Sequence, residues 1–128
     1  GMGTTMKLVV NALLGVSRQA LAEAFILGQK AGLDREQLID VLQQTAVISP
    51  RQKADLENAR RRQYPGDFSL KLMHKDFDLI LAEASEVSAP MPATAAAQQV
   101  STAALMKEGD EDASAIIQYM EELVDLAP

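Results

Sequence analysis

Lys7 and Asn11 stand four residues apart near the start of the chain, a spacing that puts both on one face of a helix. A lysine can carry a proton to or from a reacting oxygen when burial or a nearby cation brings its pKa towards neutrality. An asparagine can hydrogen-bond a hydroxyl or a carboxylate. Met6, Leu8, Val9 and Val10 give Lys7 an apolar setting, and little else in this first stretch is expected to be polar and inward-facing. On periodicity alone, the plainer account of Lys7 is a stem that snorkels from a helix end to solvent. For Asn11 it is a packing or surface amide.

Lys75 is the second candidate. It sits in His74-Lys75-Asp76, beside an apolar helical stripe. Taken alone, such a cluster is a solvated face, with His74 a partly buried spacer and Asp76 free to pair with a local cation. Arg60-Arg61-Arg62 is the only basic run. It could touch phosphate, or simply suit the negative end of a helix. Gly1-Met2-Gly3 does not make a dinucleotide loop, because Met6 takes the third glycine position and no strand precedes it.

The elements that must position these residues are helical. Apolar residues make up 48% of the 128-residue chain, enough for a packed core in one domain. Aromatics are 4% and tryptophan is absent, so Leu, Ala, Val, Ile and Met fill that core, a helix-forming set. The net charge of −6 argues against a general nucleic-acid partner. With no cysteine and one histidine, neither a disulfide framework nor a zinc site is expected, and the chain is compatible with the cytoplasm. No uninterrupted apolar run reaches the ~18–20 residues of a membrane span, so no membrane partner is expected.

Patterning predicts an all-α fold of about six helices around one long central helix, and no strands. The long helix covers about residues 4–31, capped by Thr4 or Thr5 and closed at Gly32. Its apolar residues cover most of the circumference, so neighbours are expected on several sides. Gly15 and Gly28 are expected to be points of close approach. A capping box at Asp34–Gln37 opens the second helix, and Ser49-Pro50 the third. Leu56 is the third helix's only large apolar residue, which predicts a surface position. Ser69 caps a fourth helix over about 70–87. A fifth, rich in alanine, runs over about 93–108 after the Pro90-Met91-Pro92 break. The sixth, about 112–126, is expected to bury Ile116, Ile117, Met120 and Leu123.

Taken together, these pieces resemble the C-terminal domain of the 3-hydroxyisobutyrate dehydrogenase family, to which 6-phosphogluconate dehydrogenase is more distantly related. The opening Gly1-x-Gly3-x-x-x-Lys7-x-x-x-Asn11 is similar to the start of that family's catalytic helix. Phe68-x-Leu70-x-x-x-x-Lys75-Asp76-x-x-Leu79 resembles its second signature, at the family's spacing from Lys7. Pro90-Met91-Pro92 and Asp112-x-Ser114-Ala115 match in the same order. The resemblance covers nearly the whole chain. It implies that Lys7 is the catalytic acid–base, that Asn11 holds the substrate and that Lys75 reaches a bound NAD or NADP. It implies a small hydroxy acid or semialdehyde as substrate, no metal, and a homodimer or tetramer.

Leu8 stands where 6-phosphogluconate enzymes carry histidine, which disfavours that substrate, and Val10 where many members have a second asparagine. Ser88 stands where a helix-ending glycine is common. The family's Rossmann domain would precede Gly1. The expectation is therefore half of a dehydrogenase of about 290 residues, one dinucleotide domain added. The alternative is a non-catalytic helical dimerisation or interaction module on the same scaffold. A nucleic-acid adaptor using Arg60–Arg62 ranks last.

Overall fold

The computed structural model describes residues 1–126 and 128. Its elements are α1 (Met2–Lys30), α2 (Arg35–Gln43), α3 (Pro50–Arg61), α4 (Leu70–Glu86), α5 (Pro92–Glu108), a 3-10 turn (Ala113–Ala115) and α6 (Ile116–Leu123). Every regular element among the described residues is helical, as expected. The one extended pairing is an isolated antiparallel bridge between Ser69 and Asp112.

The long helix α1 packs against α2, α4, α5 and α6. Its burial is confined to the second half, where Leu21, Ala22 and Phe25 enter the core. Met2, Met6, Val9, Val10 and Leu13 are exposed, so the expected ring of neighbours is absent over the first half. Only one side is covered there, where Leu8 and Ala12 meet the end of α4. The helix also starts a turn early. Gly1 is its N-cap, and Thr5 bonds back to the Gly1 carbonyl from inside the helix instead of capping it. At the other end Gly32 takes φ +100°, and Gly32 and Leu33 donate to the Gln29 and Gly28 carbonyls. That left-handed closure satisfies the last carbonyls and turns the chain into α2.

By length and hydropathy α1 would be able to cross a membrane, although its apolar run is interrupted. In this fold it is the core helix instead, with Arg18 and Gln19 buried and hydrogen-bonded. Those two residues also qualify the expectation that little else polar on this helix faces inward.

Both helical glycines are close-approach points. A Cβ on Gly15 would sit 2.6 Å from the Phe77 ring of α4, and one on Gly28 would sit 2.5 Å from Leu38 of α2. In α4 the buried residues Leu70, Met73, Phe77, Ile80 and Ala84 keep helical spacing behind the Ser69 cap. The buried stripe of α5 is small (Thr94, Ala97, Ser101, Ala104), which lets it lie close against α4. Asp34 caps the Gln37 N–H, but the full reciprocal box forms at Ser49 and Gln52.

Two expectations about individual faces are overturned. Helix α3 is not a surface helix on all sides: Gln52, Asp55, Leu56 and Ala59 are buried. Its inward face is polar because it meets polar groups of α1, so apolar periodicity missed it. The sixth helix is shorter than expected and begins as a 3-10 turn that Asp112 caps. It buries Ile116, Ile117, Tyr119 and Glu121, while Met120 is half-buried and Leu123 exposed. Glu121 is buried because it takes two hydrogen bonds from Arg35 and one from Gln29.

Gly15→Ala is expected to destabilise the fold by about 1–3 kcal/mol, because the Phe77 ring must move. Urea unfolding measures this, and an unchanged midpoint would contradict the packing. A second expectation concerns Glu108, buried where α5 meets α6, with Oε1 accepting from Gln118 and Oε2 unpartnered. Burial and the neighbouring Glu122 push its carboxyl up to about 7, against the Gln118 hydrogen bond. A raised folded-state pKa means that this group's contribution is fully present below its unfolded pKa and lost as pH rises through 7. Glu108→Gln should leave stability nearly unchanged at pH 4 and raise it by roughly 1–3 kcal/mol at pH 8. Unfolding midpoints compared at the two pH values test the sign.

Candidate active site

Lys7, Asn11, Leu14 and Arg18 follow one another along α1 at steps of four, three and four residues. All four line one open groove of about 570 Å³. Arg51, Ala54, Asp55 and Asn58 of α3 form the facing wall. The turn at 65–68 and Asp112 close one end. A stripe of polar residues on one helix thus faces a stripe on another, and the space between them is the groove.

Each wall is held by identifiable bonds. Helix α3 is tied to α1 by Gln52 Nε2 donating to the Ser17 carbonyl and by the buried Arg18–Asp55 pair, Nε to Oδ2 at 3.1 Å. Burial raises the Asp55 carboxyl above its usual range, and the Arg18 charge only partly opposes this. Asn58 donates to the Ser114 hydroxyl, which in turn donates to Asp112. The closing turn is fixed by backbone bonds from Asp112 to Tyr64 and from Ala113 to Phe68. Gly66 lies so close to the Asp112 carboxylate that any side chain there would collide with it.

Lys7 is exposed on the groove, and Asn11 is half-buried in it. The Asn11 amide donates to Asp76 Oδ2 at 2.7 Å, which fixes the amide and leaves its carbonyl oxygen uncommitted to that bond. Asp76 therefore pairs with an amide of α1 and not with a local cation. Lys75, one residue earlier on α4, is exposed and does not line the groove. The structure thus brings Lys7 and Asn11 together and keeps Lys75 apart from them. His74 is half-buried, with Nδ1 2.9 Å from the Ser101 hydroxyl. Of the arginine run, Arg60 is engaged by Glu36, Asp40 and Glu57, and Arg61 donates to Asn58. No cluster of metal-ligating side chains occurs among the described residues.

Sequence reasoning missed Arg18, Asp55, Asn58 and Asp112. The signal for Arg18 was present, since it continues the Lys7–Asn11 face. The pairing of α1 with α3 had no local signal.

Residues 1–120 match the family model described as NAD-binding of NADP-dependent 3-hydroxyisobutyrate dehydrogenase. The chain belongs to that family. It is 36% identical over 119 residues to glyoxylate/succinic semialdehyde reductase 1 of Arabidopsis thaliana, covering 92% of this chain and 41% of that protein. It is 34% identical over 129 residues to 2-(hydroxymethyl)glutarate dehydrogenase of Eubacterium barkeri, covering 99% of this chain and 43% of that one. The fold matches the crystal structure of 3-hydroxyisobutyrate dehydrogenase from Salmonella typhimurium with a TM-score of 0.86 at 28% identity, over 93% of this chain and 42% of that one. The chain therefore spans less than half the length of these relatives.

Asp55→Ala strands the Arg18 charge in the groove wall and is expected to cost roughly 3–5 kcal/mol. Replacing both partners with apolar residues should cost less than that single change, a reversal of simple additivity that urea unfolding of the two variants would detect.

Proposed function

We propose that this chain is the all-α half of an NAD(P)-dependent dehydrogenase of small hydroxy acids or semialdehydes. It works joined to a nucleotide-binding domain and assembles as a homo-oligomer. The observation that carries this reading is the placement of Lys7 and Asn11 on one wall of a single groove, with the Asn11 amide already oriented by Asp76. The names of the relatives, reductases and dehydrogenases of short oxo- and hydroxy acids, support the same substrate class.

In this reading the Lys7 ammonium hydrogen-bonds the reacting oxygen. In the reducing direction its positive charge draws electron density towards that oxygen, and its proton completes the hydroxyl. In the oxidising direction the neutral amine takes the hydroxyl proton. Asn11 holds the substrate through its amide oxygen or its second N–H, since one N–H is given to Asp76. The nicotinamide, when bound, supplies or accepts the hydride. The exposed ammonium of Lys75 suits a contact with a polar or phosphate group of that cofactor. In this reading most of the cofactor's contacts belong to the partner domain, since no glycine-rich turn after a strand occurs among the described residues to cradle a pyrophosphate. The exposed apolar face of Met2, Met6, Val9, Val10 and Leu13 offers surface for that domain or for a second subunit.

In the complete enzyme carrying this chain, Lys7→Ala is expected to lower turnover by about 10²–10⁴-fold while the circular dichroism spectrum and unfolding midpoint stay unchanged. Near-normal turnover in that variant would sink the reading.

A further inference from the structure

Arg18 is left over by the reading above. Its side chain is only 3% exposed, yet it forms part of the groove wall. Among the described residues its guanidinium makes one hydrogen bond, from Nε to Asp55, and Nη1 is buried with no partner. The other arginines tied to carboxylates in this fold use their terminal nitrogens. Arg35 grips Glu121 with Nε and Nη2 and also reaches the Ala59 carbonyl. Arg60 sends Nε, Nη1 and Nη2 to three different carboxylates. A guanidinium is a planar fork suited to a carboxylate taken two-fold. In Arg18 neither terminal nitrogen has a partner among the described residues.

Its position matters as much as its valence. The Cα of Arg18 lies roughly 10 Å beyond that of Asn11 along α1. Helical side chains lean towards the N-terminus, which brings the guanidinium back towards Asn11. The two residues also flank the same narrow cleft beneath the groove. Three cations line the groove (Lys7, Arg18, Arg51), together with three carboxylates, in a chain whose net charge is −6. Of those carboxylates, Asp55 is held at Nε and Asp112 accepts both the N–H and the hydroxyl of Ser114.

We propose that Arg18, with Arg51 at the exposed side of the same groove, forms a subsite for a second carboxylate of the substrate. The preferred substrates are then hydroxy or oxo acids that carry two carboxylates, one of them at the end remote from the reacting carbon. The substrate class rests on the assignment of Lys7 and Asn11 to the reacting end, whereas the subsite itself can be tested without it.

The test is to titrate the chain at low salt with succinate and with butyrate, following the Arg18 Nε–H and Asn11 side-chain amide NMR signals. Succinate is expected to bind about tenfold tighter than butyrate and to move both signals. Arg18→Lys keeps a cation for Asp55 but loses the fork, and should bring succinate down to the butyrate level with a dispersed spectrum retained. Equal affinities in the parent chain overturn the proposal, as does a succinate preference that survives Arg18→Lys. If Arg18→Lys does not fold, the Arg18→Met/Asp55→Leu double variant, which leaves no charge stranded, takes its place in the comparison. Turnover of Lys7→Ala is read separately. Normal turnover there with an Arg18-dependent succinate preference sinks the catalytic reading alone. Lost turnover with no such preference sinks the subsite alone.

Discussion

A guanidinium taken out of water needs a carboxylate, and in this fold that need joins α3 to α1. Arg18 and Asp55 are both almost fully buried, and their contact lies where the polar face of each helix meets the other. Such a pair adds little net stability compared with apolar residues of the same volume, because both charges lose hydration. What it supplies is placement. An apolar face can slide against another at small cost, whereas a buried charge has one acceptable partner. With α3 fixed in this way, Arg51, Asp55 and Asn58 face Lys7, Asn11 and Arg18 across an open groove.

The rest of the structure holds that groove to the core. Gly15 brings α1 against the Phe77 ring, which sets the distance between α1 and α4. At that distance Asp76, one residue before Phe77, reaches Asn11. The backbone bonds that join 64–68 to 112–113 carry Phe68 and Gly66 to the groove's end. Each contact is short-range and stereospecific, and together they orient side chains that share no sequence neighbourhood. The outer face of the first half of α1 has no comparable partners. Its apolar residues face outward, which fits a chain that spans less than half the length of its relatives.

Membership of the 3-hydroxyisobutyrate dehydrogenase family accounts for the order of the motifs and for the fold. Arg18 and Arg51 line the same groove as Lys7 and Asn11, and the 65–68 turn borders it.

The helical class, the caps at Asp34, Ser49 and Ser69, the closure at Gly32 and the two close-approach glycines were all legible in the sequence. These are local effects: backbone propensity, a side chain within three residues of a free N–H, or a missing Cβ. The sequence also placed Lys7 and Asn11 on one helical face, which a spacing of four requires. Packing between helices set the rest: α3 turns Gln52 and Asp55 inward beside Leu56; Met2, Met6, Val9, Val10 and Leu13 of α1 stay exposed; Lys75 stands apart from the groove; and Asn11 belongs to Asp76. Apolar periodicity marks a buried face only where burial is driven by removing hydrocarbon from water. Where two helices meet through a buried charge pair, the inward face reads as polar in each, and only their pairing reveals it.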